Sequence, residues 1–334
     1  MIQPLVSVIL PAYNAGKTIG AAVRSILDQD YGKLELIIID DGSTDETSTV
    51  VRAFSDSRIN LIVHSFNVKL IDTLNEGLSA AKGKYIARMD ADDVSNLSRL
   101  GKQVRYMESR PEIGICGTGI RLTGNGNSIS RPETESNRIK ARLLFDNCFN
   151  HPTIMYRREF VEQYAVTYDS AYTHAEDYAL WCEISNKTEF GNLNEPLLDY
   201  NISEGQISKI FRTEQVASIR KAQQILLQRM HINVTSTEAE ILECLFTKIC
   251  PDNNSFFTEA EQLLIKINNA NNRTGTLPRK EFSEHLGKTW FQICSYYATR
   301  KTTAGAVYAQ SALKNLYSPP LKNRINLVLK SILR

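Results

Sequence analysis

The sequence predicts an α/β fold: a doubly wound, mostly parallel sheet flanked by helices, followed by a smaller helical C-terminal region. Three observations carry that prediction. Short apolar runs rich in β-branched residues alternate with segments of helical periodicity over about the first 90 residues. Three of the first four runs end in polar clusters, PAYN, DDGSTD and DADD, at the strand ends where parallel sheets collect ligands. From about Glu214 the chain reads as helices joined by polar, Asn-rich links.

Taken in order, Leu5 to Leu10 reads as a strand closed by Pro11, and Thr18 to Leu27 as a helix with Ile19, Ala22, Val23 and Ile26 on one face. Leu34 to Ile39 is the next strand, after which Ser43 or Thr44 can cap a helix running through Val50 and Val51 towards Phe54. A third strand, Asn60 to His64, precedes a helix around Ile71 to Ala81, which Gly83 ends before the strand Tyr85 to Met89. After Asn96 the alternation breaks into a helix near Arg99 to Glu108, a strand at Ile113 to Cys116, a turn at Gly124 to Asn127 and the segment HPTIMYRREF. This half would supply the walls of a second subsite. Helices then follow at Val216 to Met230, Glu238 to Cys250 and Glu259 to Asn268. The expected organisation is a sheet-bearing domain at 1–208 and a mainly helical region at 209–334.

At 334 residues, 42% hydrophobic and 23% charged, the chain can bury a full core. MIQPLVSVIL lacks the features of a signal peptide, and no run approaches the roughly 18 apolar residues of a spanning helix, so a cytoplasmic location is expected. Six scattered cysteines without a CxxC pair suggest buried, reduced thiols rather than a zinc site or disulfide framework. Charge is uneven: 1–208 carries 21 Lys+Arg against 28 Asp+Glu, a net of −7, and 209–334 carries 18 against 9, a net of +9. A basic final third points to an acidic partner or surface. Nucleic acid is not expected as that partner, and an oligomer is compatible with the sequence.

Asp90 and Asp92 sit two apart at a strand end, where extended geometry would project both to one side, about 7 Å apart. Paired hard oxygen donors suit Mg²⁺ or Mn²⁺, and such an ion neutralises charge on a departing diphosphate. With Asp93, three acids within four residues repel one another and need a positive partner. A solvated acidic turn capping the next helix fits the same residues.

Five segments in order, PAYN (Pro11 to Asn14), IIIDDGSTD (Ile37 to Asp45), GLSAAKGKYIARMDADD (Gly77 to Asp93), HPTIMYRREF (His151 to Phe160) and AEDYALW (Ala175 to Trp181), resemble the inverting family 2 glycosyltransferases. Their nucleotide-sugar-binding fold is called GT-A. The resemblance covers roughly the first 200 residues and stops there. It implies a UDP-sugar donor, a glycan or lipid-linked glycan acceptor, and Mn²⁺ or Mg²⁺ held by Asp90 and Asp92. It also implies a donor site drawing on Pro11, Tyr13, Asn14, Asp40, Asp41, Arg88, Asp90 and Ala91. Asp41 is the preferred reader of the base, because a carboxylate can accept the uracil N3–H, although capping the following helix is an alternative. Tyr13 can stack on the base or serve as a half-buried wall.

Asp177 falls on the family's catalytic base, with Glu176 beside it. Inversion requires a hydroxyl to attack from the face opposite the diphosphate, so a carboxylate there should take its proton. Trp181, four residues on, would share that helical face and line the acceptor site. His151 can contact acceptor or phosphates, although a packed structural histidine is the commoner case. Arg99 and Gln103, at helical spacing after DADD, could reach the diphosphate, as helix-surface pairs also do without function. One departure stands out: the family often follows the base with Tyr-Arg-x-His, whose His can complete the metal shell. Here YNISEGQIS places Asn201 and Ser203 at those positions. Either water takes that place or the metal binds more weakly.

The end of the chain places Leu321, Ile325, Val328, Leu329 and Ile332 on one helical face, flanked by Lys322, Arg324, Lys330 and Arg334. That is the pattern of an interfacial helix on an anionic inner membrane leaflet, and equally of a helix packed into a core. The leading expectation is transfer of a hexose or N-acetylhexosamine from a UDP-sugar to a sugar hydroxyl in surface polysaccharide synthesis. A sugar nucleotidyltransferase is the enzymatic alternative, though GKT at Gly16 to Thr18 lacks the upstream glycines of a phosphate loop. An inactive nucleotide-sugar-binding protein is the third reading.

Overall fold

The computed structural model describes residues 3–124, 128–202, 211–249, 254–298 and 304–332. Ser203, Cys250, Arg334 and the turn residues Asn125 to Asn127 lie outside that range, as do the side chains of Val328, Lys330 and Ile332. The chain forms two compact units: Met1–Ile139 with Asn147–Ala222, and Lys140–Asp146 with Gln223–Arg334.

The first unit opens with β1 (Val6–Ala12), α1 (Ile19–Leu27), β2 (Leu34–Asp40), α2 (Thr47–Arg52), β3 (Ile59–Val63), α3 (Leu70–Ala80) and β4 (Tyr85–Arg88). β1 is buried along its whole length, as a parallel strand covered on both faces must be. α1 buries Ile19, Ala22, Val23 and Ile26, the face its spacing requires. α3 approaches β1 so closely that a Cβ on Gly77 would lie 2.4 Å from Ile9 Cγ2. The second helix starts later than Ser43 or Thr44. Asp40 Oδ1 accepts from the Ser43 N–H (3.0 Å) and Asn14 Oδ1 from the Thr44 N–H (2.9 Å), which holds both residues in a loop.

Next come β5 (Val94–Ser95), α4 (Arg99–Glu108), β6 (Ile113–Gly124), β7 (Ser128–Ser130), α5 (Ser136–Arg142), β8 (Met155–Arg157), α6 (Arg158–Gln163), α7 (Glu176–Ile184) and β9 (Glu189–Ile202). Among the described residues they complete a nine-stranded sheet in the order β3-β2-β1-β4-β8-β6-β9-β5, with β7 on β6. The sheet is parallel from β3 to β4 and mixed beyond. β6 runs well past Cys116 because β9, far along the chain, pairs with it in parallel to Gly124, with register shifts at three places.

The second unit is helical: α8 (Arg212–Arg229) leads into it, followed by α9 (Ser236–Thr247), α10 (Asn254–Thr274), α11 (Arg279–Tyr297), α12 (Ala304–Gln310) and α13 (Leu321–Ile332). Thr235 and Glu238 form a capping box at the start of α9. α10 continues through its Asn-rich end because Asn271, fully buried, accepts from the Leu277 N–H (2.8 Å) and donates to the Leu277 carbonyl (3.1 Å). α11, absent from the sequence expectations, buries Phe282, Leu286, Trp290, Cys294 and Tyr297 along one face.

Candidate active site

The ends of β1, β2 and β4 bring the expected clusters together. Gly16 N–H donates to Asp45 Oδ2 (2.9 Å), Ala15 N–H to Thr47 Oγ1 (2.8 Å) and Asn14 N–H to Ser43 Oγ (2.9 Å), so the PAYN and DDGSTD loops are stapled to each other. Asn14 takes a left-handed backbone (φ 49) to do so. Tyr13 is 52% exposed, a ring open to a ligand. Pro11 is not: it is a buried β1 residue paired with Ile39.

Asp40 and Asp41 are also turned inward, at 1% and 4% exposure. Asp40 accepts from Ser43 N–H and the Ser48 hydroxyl, and so organises the loop. Asp41 Oδ1 accepts from His64 Nδ1–H (3.0 Å) and Val68 N–H (2.7 Å), and Oδ2 from Lys69 N–H (3.0 Å). The carboxylate thereby gathers the 64–69 loop, in which Lys69 holds a positive φ of 83. His64 also meets Glu76 (2.7 Å), and its hydrogen bond to Asp41 is the main cause holding it above the usual histidine range.

β4 ends at Arg88, and residues 89–93 form a turn, not the extended segment in which Asp90 and Asp92 would project side by side. The turn curls the chain back on itself, so one carboxylate oxygen each from Asp90, Asp92 and Asp93 lie within 4.8 Å of one another. Arg88 grips Asp90 at two points, 2.5 and 2.9 Å. Asp92 is exposed and Ala91 buried. Partial desolvation of its carboxyl by the surrounding turn first, then the Asp90 charge, raises Asp92 even though the residue as a whole is exposed; burial and the Asp90 charge push Asp93 up to about 8, against the pull of the Asn201 N–H (2.9 Å). Asp93 Oδ2 is buried with no hydrogen-bond partner among the described residues.

A second cluster joins His151, Glu176 and Asp177, whose potential ligand atoms also lie within 4.8 Å of one another. Asp177 Oδ2 accepts from Asn147 Nδ2–H (2.8 Å) and Oδ1 from Tyr178 N–H (2.7 Å). Burial raises Asp177, opposed by those two donors, and burial with the Asp177 charge lifts Glu176 to about 7. His151 Nε2 meets the Tyr168 hydroxyl (2.8 Å), which meets the Tyr156 hydroxyl (2.6 Å). Burial and the Arg88 charge hold His151 well below its ordinary value. Burial opposes the charge on Arg88, yet Asp90, Tyr168, Glu176 and Asp93 together keep its guanidinium above the usual value. Arg88 is thus the common counter-charge of both clusters.

Three expected contacts move elsewhere. Arg99 is fully buried and donates to the carbonyls of Arg88 (3.1 Å) and Pro152 (2.7 Å), tying β4 to the His151 turn instead of reaching a diphosphate. Gln103 does likewise, with the carbonyls of Cys116 and Thr153. Trp181 is also fully buried, packed edge-on against Phe149 and His151, and supports the His151 ring rather than lining an acceptor site. Sequence reasoning did not single out Asn147 or Tyr168, which carry no motif, nor Tyr156 within HPTIMYRREF; all three meet the cluster only through the fold. Asp93 was visible as the third acid of DADD.

The Glycosyl transferase family 2 model matches residues 7–166. The chain is 34% identical over 234 residues to an uncharacterized glycosyltransferase of Haemophilus influenzae, covering 65% of this chain and 72% of that one. It is 31% identical over 207 residues to the Escherichia coli UDP-Glc:alpha-D-GlcNAc-diphosphoundecaprenol beta-1,3-glucosyltransferase WfgD, covering 61% and 79%. S. aureus TarS 1–349, solved in complex with UDP-GlcNAc, matches in fold with a TM-score of 0.59 at 17% identity, over 98% of this chain and 90% of that one. With the five motifs brought to one end of a sheet of this form, the chain belongs to glycosyltransferase family 2, as an enzyme of the GT-A fold.

Proposed function

We propose that this enzyme transfers a hexose or N-acetylhexosamine, with inversion, from a UDP-sugar to a sugar hydroxyl of a lipid-linked glycan, the chemistry residing in 1–208. The observation that carries the reading is the pair of carboxylate clusters sharing Arg88, one on the strand-end turn and one at the N-terminus of α7. The names of WfgD and of the O-antigen biosynthesis glycosyltransferase WbnJ of Escherichia coli, 34% identical over 218 residues, support a polysaccharide acceptor.

Asp90, Asp92 and Asp93 offer only hard oxygens, and the partnerless Asp93 Oδ2 fits a cation. They would hold Mg²⁺ or Mn²⁺, which neutralises charge on the departing diphosphate. Asp41 and Tyr13 would fix the base, one as acceptor and one as a stacking face. Asp177, oriented by Asn147 and the Tyr178 N–H, takes the acceptor hydroxyl's proton as its oxygen bonds to the anomeric carbon and the bond to UDP breaks. Glu176 lies beside it, and burial together with the Asp177 charge favours the protonated form of Glu176.

The test is UDP release from a panel of UDP-sugars with Mn²⁺, Mg²⁺ or EDTA, for the native chain, Asp92→Ala and Asp177→Asn. Release from one donor, lost with EDTA and with either substitution, supports the assignment. Release that survives EDTA would remove the metal from it, and direct donor binding without release in the presence of acceptor would favour a binding protein.

A further inference from the structure

The C-terminal helix α13 separates two apolar surfaces that the sequence pattern alone leaves merged. Leu327 is 3% exposed and anchors the helix, whereas Leu321, Ile325 and Leu329 are 71%, 48% and 46% exposed. At about 100° per residue, the three exposed residues form one ridge and Leu327 lies nearly opposite Ile325. The core-packing alternative therefore accounts for Leu327 and leaves the ridge uncovered by the described residues. Lys322 and Arg324, both exposed, flank that ridge.

The charge along this part of the sequence is one-sided. The 50 residues from His285 to Arg334 hold eight Lys or Arg and no Asp or Glu. A leucine and isoleucine ridge between cations, on a segment devoid of acids, matches a surface that offers hydrocarbon and negative headgroups together. A purely polar polyanion would use the cations and leave the ridge in water. We propose that α13 docks the enzyme on an anionic lipid surface, with Leu321, Ile325 and Leu329 entering the headgroup boundary and Lys322 and Arg324 contacting headgroups. This goes beyond the transfer reaction and does not depend on it.

The experiment sediments the full chain with vesicles of phosphatidylglycerol and phosphatidylcholine, or of phosphatidylcholine alone. It is repeated with the triple variant Leu321→Ser, Ile325→Ser, Leu329→Ser and the double variant Lys322→Glu, Arg324→Glu. The native chain should sediment with the anionic vesicles only, and each variant should lower partition at least about tenfold. Thermal unfolding by circular dichroism should stay as in the native chain, because the ridge is exposed. Absence of binding to anionic vesicles, or equal binding by the triple variant, would overturn the proposal. Dimers in solution that dissolve in the triple variant, with vesicle binding unchanged, would assign the ridge to a second copy and overturn it as well.

Discussion

Arg88 and Asp90, two residues apart, form a two-point ion pair whose side chains are 6% and 27% exposed. The cation that three crowded acids require is thus partly supplied by the chain itself. A guanidinium and a divalent ion would compete for the same Asp90 oxygens, which couples stability to metal loading.

Arg88→Met should strand Asp90 and destabilise the fold by about 2–4 kcal/mol, less than for a fully buried pair because Asp90 keeps contact with water. Mn²⁺ should then raise the urea midpoint more than it does for the native chain. An unchanged midpoint without metal would show that the pair contributes little.

Asp92 is exposed, and among the described residues no other residue donates a hydrogen bond or an ion pair to its side chain, so Asp92→Ala should change stability by no more than about 0.5 kcal/mol. UDP release should nevertheless fall by about two orders of magnitude or more, as with EDTA. Urea unfolding beside initial rates separates the two effects, and a full rate in the variant would remove Asp92 from the metal site.

Asp177→Asn keeps the shape but not the proton acceptor. Its kcat should fall about 10²–10⁴-fold with donor KM little changed, and Asn147→Ala should fall less, since Asn147 only orients the carboxylate. Steady-state kinetics checks this, and equal kcat in Asp177→Asn would exclude it as the base.

Burial and the Asp177 charge lift Glu176 from its usual 4.5 to about 7. Between those values the folded protein holds a proton that the unfolded chain has released. Stability therefore falls as pH rises from about 4.5 to about 7 and levels off above. Glu176→Gln should erase that slope, gaining on the native chain by about 2–3 kcal/mol between pH 5 and pH 8. Denaturant midpoints at both pH values decide it; a gap that does not change with pH would refute the assignment.

Trp181→Ala should cost about 3–5 kcal/mol by opening a core cavity, and Trp181→Phe far less. Acceptor KM in Trp181→Phe should match the native chain. A raised KM without lost stability would return the indole to the acceptor site.

The sequence by itself determined the parallel half of the sheet, the order of its helices and the strand ends where the acids lie. Those features rest on local periodicity and on turn residues such as Gly42, whose φ of 70 disfavours a side chain and where a Cβ would lie 2.5 Å from the Phe66 carbonyl carbon. It also placed the Asp90 to Asp93 cluster and the Glu176–Asp177 pair, because each is contiguous in the chain. Only the tertiary structure decided which neighbours face the site. Arg99 and Trp181 have the right helical spacing yet are fully buried, since spacing fixes a direction about the helix axis and not what packs against it. Asn147 and Tyr168 reach Asp177 and His151 across 30 and 17 residues of chain, contacts that β8, α7 and the His151 turn create together. The mixed half of the sheet was hidden for the same reason: β9 pairs with β6 far upstream, and no local pattern encodes a partner that distant.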